Sequence, residues 1–252
     1  MAEVITATVT VKAYLLPNDE DESDRLDMVH EMVLTIMDRR LFFAPISEAP
    51  QRVLDLGTGT GIWAIDFEVG CHDENILQPA KLFIQVMGID LSPNQPTINV
   101  APGGWVEIQD WEANLTSQDN STKNTSLEQY YDVVLGAFEK VGYVSSPGPH
   151  LEQWFCDVGF EDIHVEKYPV PLGVWPKDKK LAESGFESAA MAVLTRYEGW
   201  SKDEVTILVA KARTDAKNRD IHSLFHFLTV LAMWPTVENQ KGLRDSLRYD
   251  TS

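Results

Sequence analysis

The sequence predicts an α/β fold with a doubly wound sheet and helices on both faces. Three observations predict it. Short apolar runs alternate with stretches of helical periodicity along most of the chain. The run Arg52–Leu56 ends in Gly-Thr-Gly-Thr-Gly and feeds Ile62-Trp-Ala-Ile, which reads as a strand, a glycine turn and a helix start. The length, 252 residues, suits a single α/β domain. We expect that domain to span 1–234, with a polar, mobile tail over 235–252.

Taken in order, residues 1–13 alternate weakly and suit a loose segment or an edge strand. Residues 21–40 place Leu26, Met28, Val29, Met32, Val33, Ile36 and Met37 at helical spacing. The acids ahead of that stripe sit at the positive end of the helix dipole. After the glycine turn, residues 82–91 form a second buried strand and 105–109 a third, and 114–126 a polar loop. Residues 127–143 are an amphipathic helix. Residues 151–158 form a short helix stopped by Gly159. Residues 162–170 alternate as a strand, and 178–197 are helical. Ser201-Lys-Asp-Glu204 is a capping box before a helix over 205–218. Residues 221–233 are apolar and β-prone, hence a last strand.

Composition excludes several classes. Hydrophobic residues are 44% and charged residues 24%, ordinary for a globular chain. No window approaches about 18 consecutive apolar residues, so no membrane span or membrane partner is expected. The first residues lack a signal-type core, so secretion is not expected and a cytoplasmic or nuclear location is. The net charge of −18 repels phosphate backbones, so no nucleic-acid partner is expected. Cys71 and Cys156 offer no metal spacing and no disulfide framework. The sequons at Asn114, Asn120 and Asn124 mark a polar loop.

The chemistry sits in Asp55-Leu56-Gly57-Thr58-Gly59-Thr60-Gly61. A strand ending in glycines brings backbone N–H groups to the carboxyl edge of the sheet, where ligands of open α/β sheets bind. Gly57 and Gly59 let a ligand approach without a Cβ in the way. The spacing separates two cofactor classes. The dinucleotide fingerprint G-x-G-x-x-G wants its third glycine where this chain has Ile62. Asp55, two residues before the first glycine, is a poor neighbour for a pyrophosphate and a good one for a sulfonium with an ammonium group. A nicotinamide oxidoreductase is therefore disfavoured. Asp90, in Gly-Ile-Asp-Leu-Ser after the second strand, suits the hydroxyl pair of a ribose. It lies 35 residues beyond Asp55, against a usual spacing of roughly 20 between glycine motif and ribose acid.

Asp-Leu-Gly-Thr-Gly-Thr-Gly resembles motif I of class I S-adenosylmethionine-dependent methyltransferases. The runs 14–20, 24–30, 54–67, 88–93, 102–110, 175–180 and 199–205 resemble, more narrowly, the fungal methyltransferases related to the secondary-metabolism regulator LaeA. The resemblance implies a Rossmann-like methyltransferase sheet and S-adenosyl-L-methionine as cofactor. It implies that Asp55, Gly57, Thr58, Gly59 and Gly61 form the methionine-side turn and that Asp90 takes the ribose hydroxyls. Tyr14 and Arg25 would help cover the cofactor. The methyl acceptor would be a small molecule or a protein, possessing no signature that names it, and neither a catalytic base nor a metal site is assigned. A non-catalytic methyltransferase-like protein acting through protein–protein contact is the second reading.

The chain departs from that family at one place. Pro102 follows Asp90 by only 12 positions. A parallel strand needs a crossover of about a dozen residues or more, so two β-α-β units cannot fit there. We expect a sheet lacking strands three and four and the adenine-binding loop, as an internal deletion such as a splice variant would produce. The strand at 52–56 must then pair directly with that at 105–109 or present an unpaired edge.

Other residues have plainer readings. His30 lies near the apolar face of its helix and is expected to pack or to sit at the surface. His222 and His226 are four apart, but in a strand and without a third ligand. Most of the seven tryptophans are expected in the core, while Trp111 and Glu112, following the third strand, are candidates for lining a substrate site.

Overall fold

A computed structural model describes residues 20–46, 52–70, 85–89, 100–173 and 186–238. They fall into two compact units, one within Asp19–Ala101 and the other within Pro102–Ser252.

Unit 1 holds helix α1 (Glu20–Ile36), strand β1 (Arg52–Leu56), helix α2 (Ile62–Gly70) and strand β2 (Gln85–Ile89). β1 and β2 pair in parallel from Arg52 opposite Gln85 to Leu56 opposite Ile89. A parallel pair needs a crossover, and α2 supplies its helix. Phe67 is buried on α2, stacked on Trp63 at 5.1 Å and tilted against Phe42 at 5.4 Å. The Trp63 indole N–H donates to the Leu41 carbonyl at 3.2 Å. These contacts fasten α2 to the chain that follows α1; Leu34 of α1 and Met37 just after it are buried.

Unit 2 holds β3 (Trp105–Thr116), α3 (Ser126–Lys140), α4 (Leu151–Asp157), β4 (Glu161–Pro171), α5 (Phe186–Ala190), α6 (Lys202–Ala216) and β5 (Leu224–Met233). Its sheet has the order β3–β5–β4, with β5 antiparallel to both neighbours. Central position explains the composition of β5. Every side chain from Phe227 to Ala232 is buried, as a near-continuous apolar run, broken only by Thr229, requires when both faces are covered. Val230 and Ala232 pack with Leu151 and Phe155 of α4, whereas Phe225, of opposite parity, packs with the cluster of α3 and α6. Helices thus cover both faces of this sheet.

The helix ends follow their sequence signals. Thr125 caps α3, its hydroxyl accepting from the Glu128 N–H at 3.1 Å. The expected capping box closes α6: Ser201 Oγ accepts from the Glu204 N–H and the Glu204 carboxylate accepts from the Ser201 N–H.

Three expectations are modified. β3 runs on to Thr116, so Asn114 lies in a strand and the polar turn shrinks to 117–125. The described part of the 178–197 helix is α5 followed by a single π turn, Met191–Thr195, with Thr195 Oγ1 donating to the Met191 carbonyl at 2.6 Å. β1 and β3 belong to separate sheets among the described residues, so the direct ladder between them is not the arrangement adopted. Residues 239–252 of the expected tail lie outside the described residues. Among those described, no helix is long and apolar enough to cross a membrane.

Candidate functional site

The glycine segment leaves β1 with Gly57, Gly59 and Gly61 at φ of +80°, +51° and +81°, a region that side chains disfavour. The Gly61 N–H closes the turn on the Thr58 carbonyl at 2.8 Å, and the Ile65 N–H donates to the Gly61 carbonyl as α2 begins. A Cβ at Gly57 or Gly61 would meet nothing within 4 Å, so the space beside the turn is open.

Asp55 stands at the root of this turn. Its Oδ2 is fully buried and accepts no hydrogen bond among the described residues. A buried carboxylate oxygen without a donor is costly, commonly by about 1–3 kcal/mol, and calls for an explanation. An open glycine cradle with an unmatched acceptor beside it fits a ligand that brings a donor or a positive charge, as the amino-acid end of S-adenosylmethionine does.

Helix α1 runs along the turn. A Cβ at Gly59 would sit 3.4 Å from Leu26 Cδ1. Thr60 Oγ1 donates to Asp27 Oδ1 at 2.5 Å, and His30 Nε2 lies 2.9 Å from Asp66 Oδ2 on α2. His30 is therefore mostly buried and partnered, in keeping with a packed histidine. Arg25 is held by its own helix: Nε and Nη2 donate to the two oxygens of buried Glu22 at 2.8 and 2.7 Å.

Of the residues the sequence singled out, the structure gathers Asp55, Gly57, Thr58, Gly59 and Gly61 on one turn, with Arg25 on the helix beside it. Tyr14 and Asp90 lie outside the described residues. Ile89, the residue before Asp90, is the partner of Leu56 at the carboxyl edge. Sequence reasoning missed Asp27, Thr60 and Asp66. Only the helical phase of 26, 27 and 30 hinted that one face of α1 meets the turn.

Unit 2 corrects the reading of Trp111 and Glu112. Both lie inside β3, opposite Phe227 and His226, rather than after it. Trp111 packs edge-on against Phe227 at 5.0 Å, a core contact. Glu112 pairs with the Lys167 ammonium and faces His226 Nδ1 at 3.4 Å. His222 points elsewhere, its Nδ1 2.7 Å from Asp119 Oδ2. Among the described residues no three His, Cys, Asp or Glu side chains are placed to hold a metal ion.

Residues 28–135 match the family model described as a methyltransferase domain. The chain is similar to methyltransferase pytC of Aspergillus terreus, 29% identical over 88% of this chain and 84% of the relative. It is similar to the probable methyltransferase tdiE of Emericella nidulans, at 22% identity over 89% and 86%. It is similar to the secondary metabolism regulator laeA of Monascus pilosus, at 26% identity over 83% and 71%. The pytC match spans 280 aligned positions, yet 88% of 252 residues is about 222, so that relative carries tens of residues with no counterpart here.

Proposed function

We propose that this methyltransferase, a relative of the fungal LaeA-like enzymes, uses S-adenosyl-L-methionine to methylate an acceptor of fungal secondary metabolism. One observation carries the reading: the buried, unmatched oxygen of Asp55 beside three positive-φ glycines at the tip of β1. Asp55, Gly57, Thr58, Gly59 and Gly61 would hold the methionine end, and Asp90 the ribose hydroxyls. Tyr14 and Arg25 would cover them, with the Glu22 pair fixing the direction of the guanidinium.

When bound, the cofactor supplies an electrophilic methyl group on a sulfonium. The chain's own part is to bind, orient and desolvate. Displacement at a methyl group needs an in-line approach, and holding two reactants in register is worth several kcal/mol of barrier, on the order of 7–11 in well-oriented model reactions. The Asp55 carboxylate matches the ammonium of the amino-acid end, and the bare glycine backbone allows close contact with it.

Isothermal titration of the full chain with S-adenosylhomocysteine tests the proposal. Micromolar binding in the native chain, lost in Asp55→Ala with the far-ultraviolet circular dichroism unchanged, is the expected result. A folded chain that ignores S-adenosylhomocysteine, or that takes up NAD instead, would overturn it.

A further inference from the structure

Three glycines give the turn after β1 its freedom, so its shape must be set partly from outside. Gly57, Gly59 and Gly61 all have φ in the left-handed region, which glycine reaches at no steric cost but does not favour over its alternatives. Cut free of its surroundings, such a segment would spread over many conformations, and the one seen here would be a small share of them. The Gly61 N–H to Thr58 carbonyl bond closes the end of the turn but leaves Gly57 and the peptides before Thr58 untouched.

Helix α1 supplies the outside hold. Asp27, in the middle of that helix and half-buried, accepts from the Thr60 hydroxyl at 2.5 Å. Charge-assisted O–H···O bonds have lengths of about 2.5–2.7 Å, so this is a strong one for a side chain near the surface. Thr60 stands between two of the positive-φ glycines, and fixing its side chain restrains the peptides on either side. Leu26, the neighbour of Asp27, adds a second contact: its Cδ1 would lie 3.4 Å from a Cβ at Gly59. Consecutive residues of α1 thus meet consecutive residues of the turn. One helical turn further on, His30 Nε2 lies 2.9 Å from Asp66 Oδ2, so the helix that grips Thr60 is itself set against α2. All of these residues belong to unit 1.

Asp27 does its own helix no service. It lies beyond the first turn of α1, where an acid would complement the helix dipole. Aspartate is a poorer helix former than alanine. Asp24 and Glu31, three and four residues away, are like charges on the same side of the helix. A residue that local rules disfavour, and that reaches across to a ligand turn, marks a functional constraint.

We propose that Asp27 is a positioning residue: through Thr60 it holds the glycine turn in the shape that admits the methionine end of the cofactor. The effect on the ligand rests on the cofactor reading above, whereas the ordering of the turn is assayed without any ligand. A turn that is binding-competent only a tenth of the time lowers the apparent affinity about tenfold. Releasing Thr60 should therefore weaken binding although Asp55 and the glycines themselves are unchanged.

Two measurements on the full chain test this. In the ligand-free chain, hydrogen exchange at the Gly61 amide reads the opening of its bond to Thr58. Asp27→Ala and Thr60→Val should each quicken that exchange about tenfold, with the melting temperature of Asp27→Ala level or higher, since alanine suits the helix better. In titrations with S-adenosylhomocysteine, each variant should bind about tenfold more weakly than the native chain. The double variant should be no weaker than either single, because both remove one shared contact. Asp27→Asn keeps an acceptor and Thr60→Ser a donor, and both should stay within about threefold of native. Single effects that multiply to about a hundredfold in the double variant would overturn the proposal. Native binding of S-adenosylhomocysteine with Asp27→Ala unchanged in both measurements sinks this inference alone. Quickened Gly61 exchange in the variants of a chain that ignores S-adenosylhomocysteine sinks the cofactor reading alone.

Discussion

The two units solve different problems. Among the described residues of unit 1, the fully buried apolar side chains are Leu34, Met37 and Phe67, and its strands are five residues each. Unit 2 has strands of 10 to 12 residues, a central strand covered on both faces, and a core running from Leu127 through Val193, Leu194 and Val205 to Ala212. Unit 2 is held by packing. The turn of unit 1 is held by backbone geometry and by polar ties such as Thr60–Asp27 and His30–Asp66. Binding elements are drawn from the less densely packed parts of proteins, where a ligand can complete what the fold leaves open. The unmatched Asp55 oxygen fits that pattern.

That contrast can be broken or sharpened by substitution. The largest effect is expected at Gly173, where φ is +101° and a Cβ would lie 2.4 Å from the Ala216 carbonyl oxygen. Gly173→Ala combines left-handed strain with a backbone clash and should cost about 3 kcal/mol or more in denaturant unfolding. An unchanged midpoint would show that unit 2 yields more readily than its packing implies. Next comes Asp55→Asn. It should lower S-adenosylhomocysteine affinity at least about tenfold, ~1.4 kcal/mol, while leaving the ligand-free melting temperature level or higher. A large drop in that temperature would mean that Asp55 is structural, and the contrast between the units would fail there.

Smaller effects belong to the periphery of unit 2. Ser201→Ala removes the α6 capping box and should cost about 1 kcal/mol, roughly 2–4 °C in melting temperature for a chain of this size. Calorimetry showing no shift would relieve the cap of that role. The smallest effect is a pH dependence. Hydrogen bonds from Ser121, then His222, lower the Asp119 pKa from 3.8 to about 2. A carboxylate with a depressed folded-state pKa stabilises fully above its unfolded pKa. That contribution fades as pH falls from 3.8 toward about 2. Asp119→Asn should therefore flatten the acid side of the stability curve. Since both partners are exposed, an equally steep acid limb in the variant would assign the loss to other carboxylates.

Much of this was legible in the residues. The glycine turn, the cap at Ser201 and the burial of β5 each follow a local rule: a strand ending in three alternate glycines, a Ser-x-x-Glu box, a mostly apolar run. What escaped is what depends on distance along the chain. The second half of β3 carries Asp110, Glu112 and Asn114 where an amphipathic strand would be apolar, so its pattern fades although its ladder with β5 continues through Glu112. Glu112, Lys167 and His226 become neighbours only through the strand order, since 55 and 59 residues separate them in turn. His222, expected within the strand over 221–233, lies just ahead of β5, and its partner Asp119 lies 103 residues away and carries no local signature.

The ties between α1 and the glycine turn have a mechanical consequence. Leu26 and Asp27 meet Gly59 and Thr60 of the loop, and His30 meets Asp66 of α2, so the helix is tied to the loop and to the element that follows it. Seventeen residues make a rod about 25 Å long. A tilt of a few degrees at the loop becomes a displacement of an ångström or more at the rod's ends. A distance probe placed on exposed Arg39 would read the filling of the loop from far outside it.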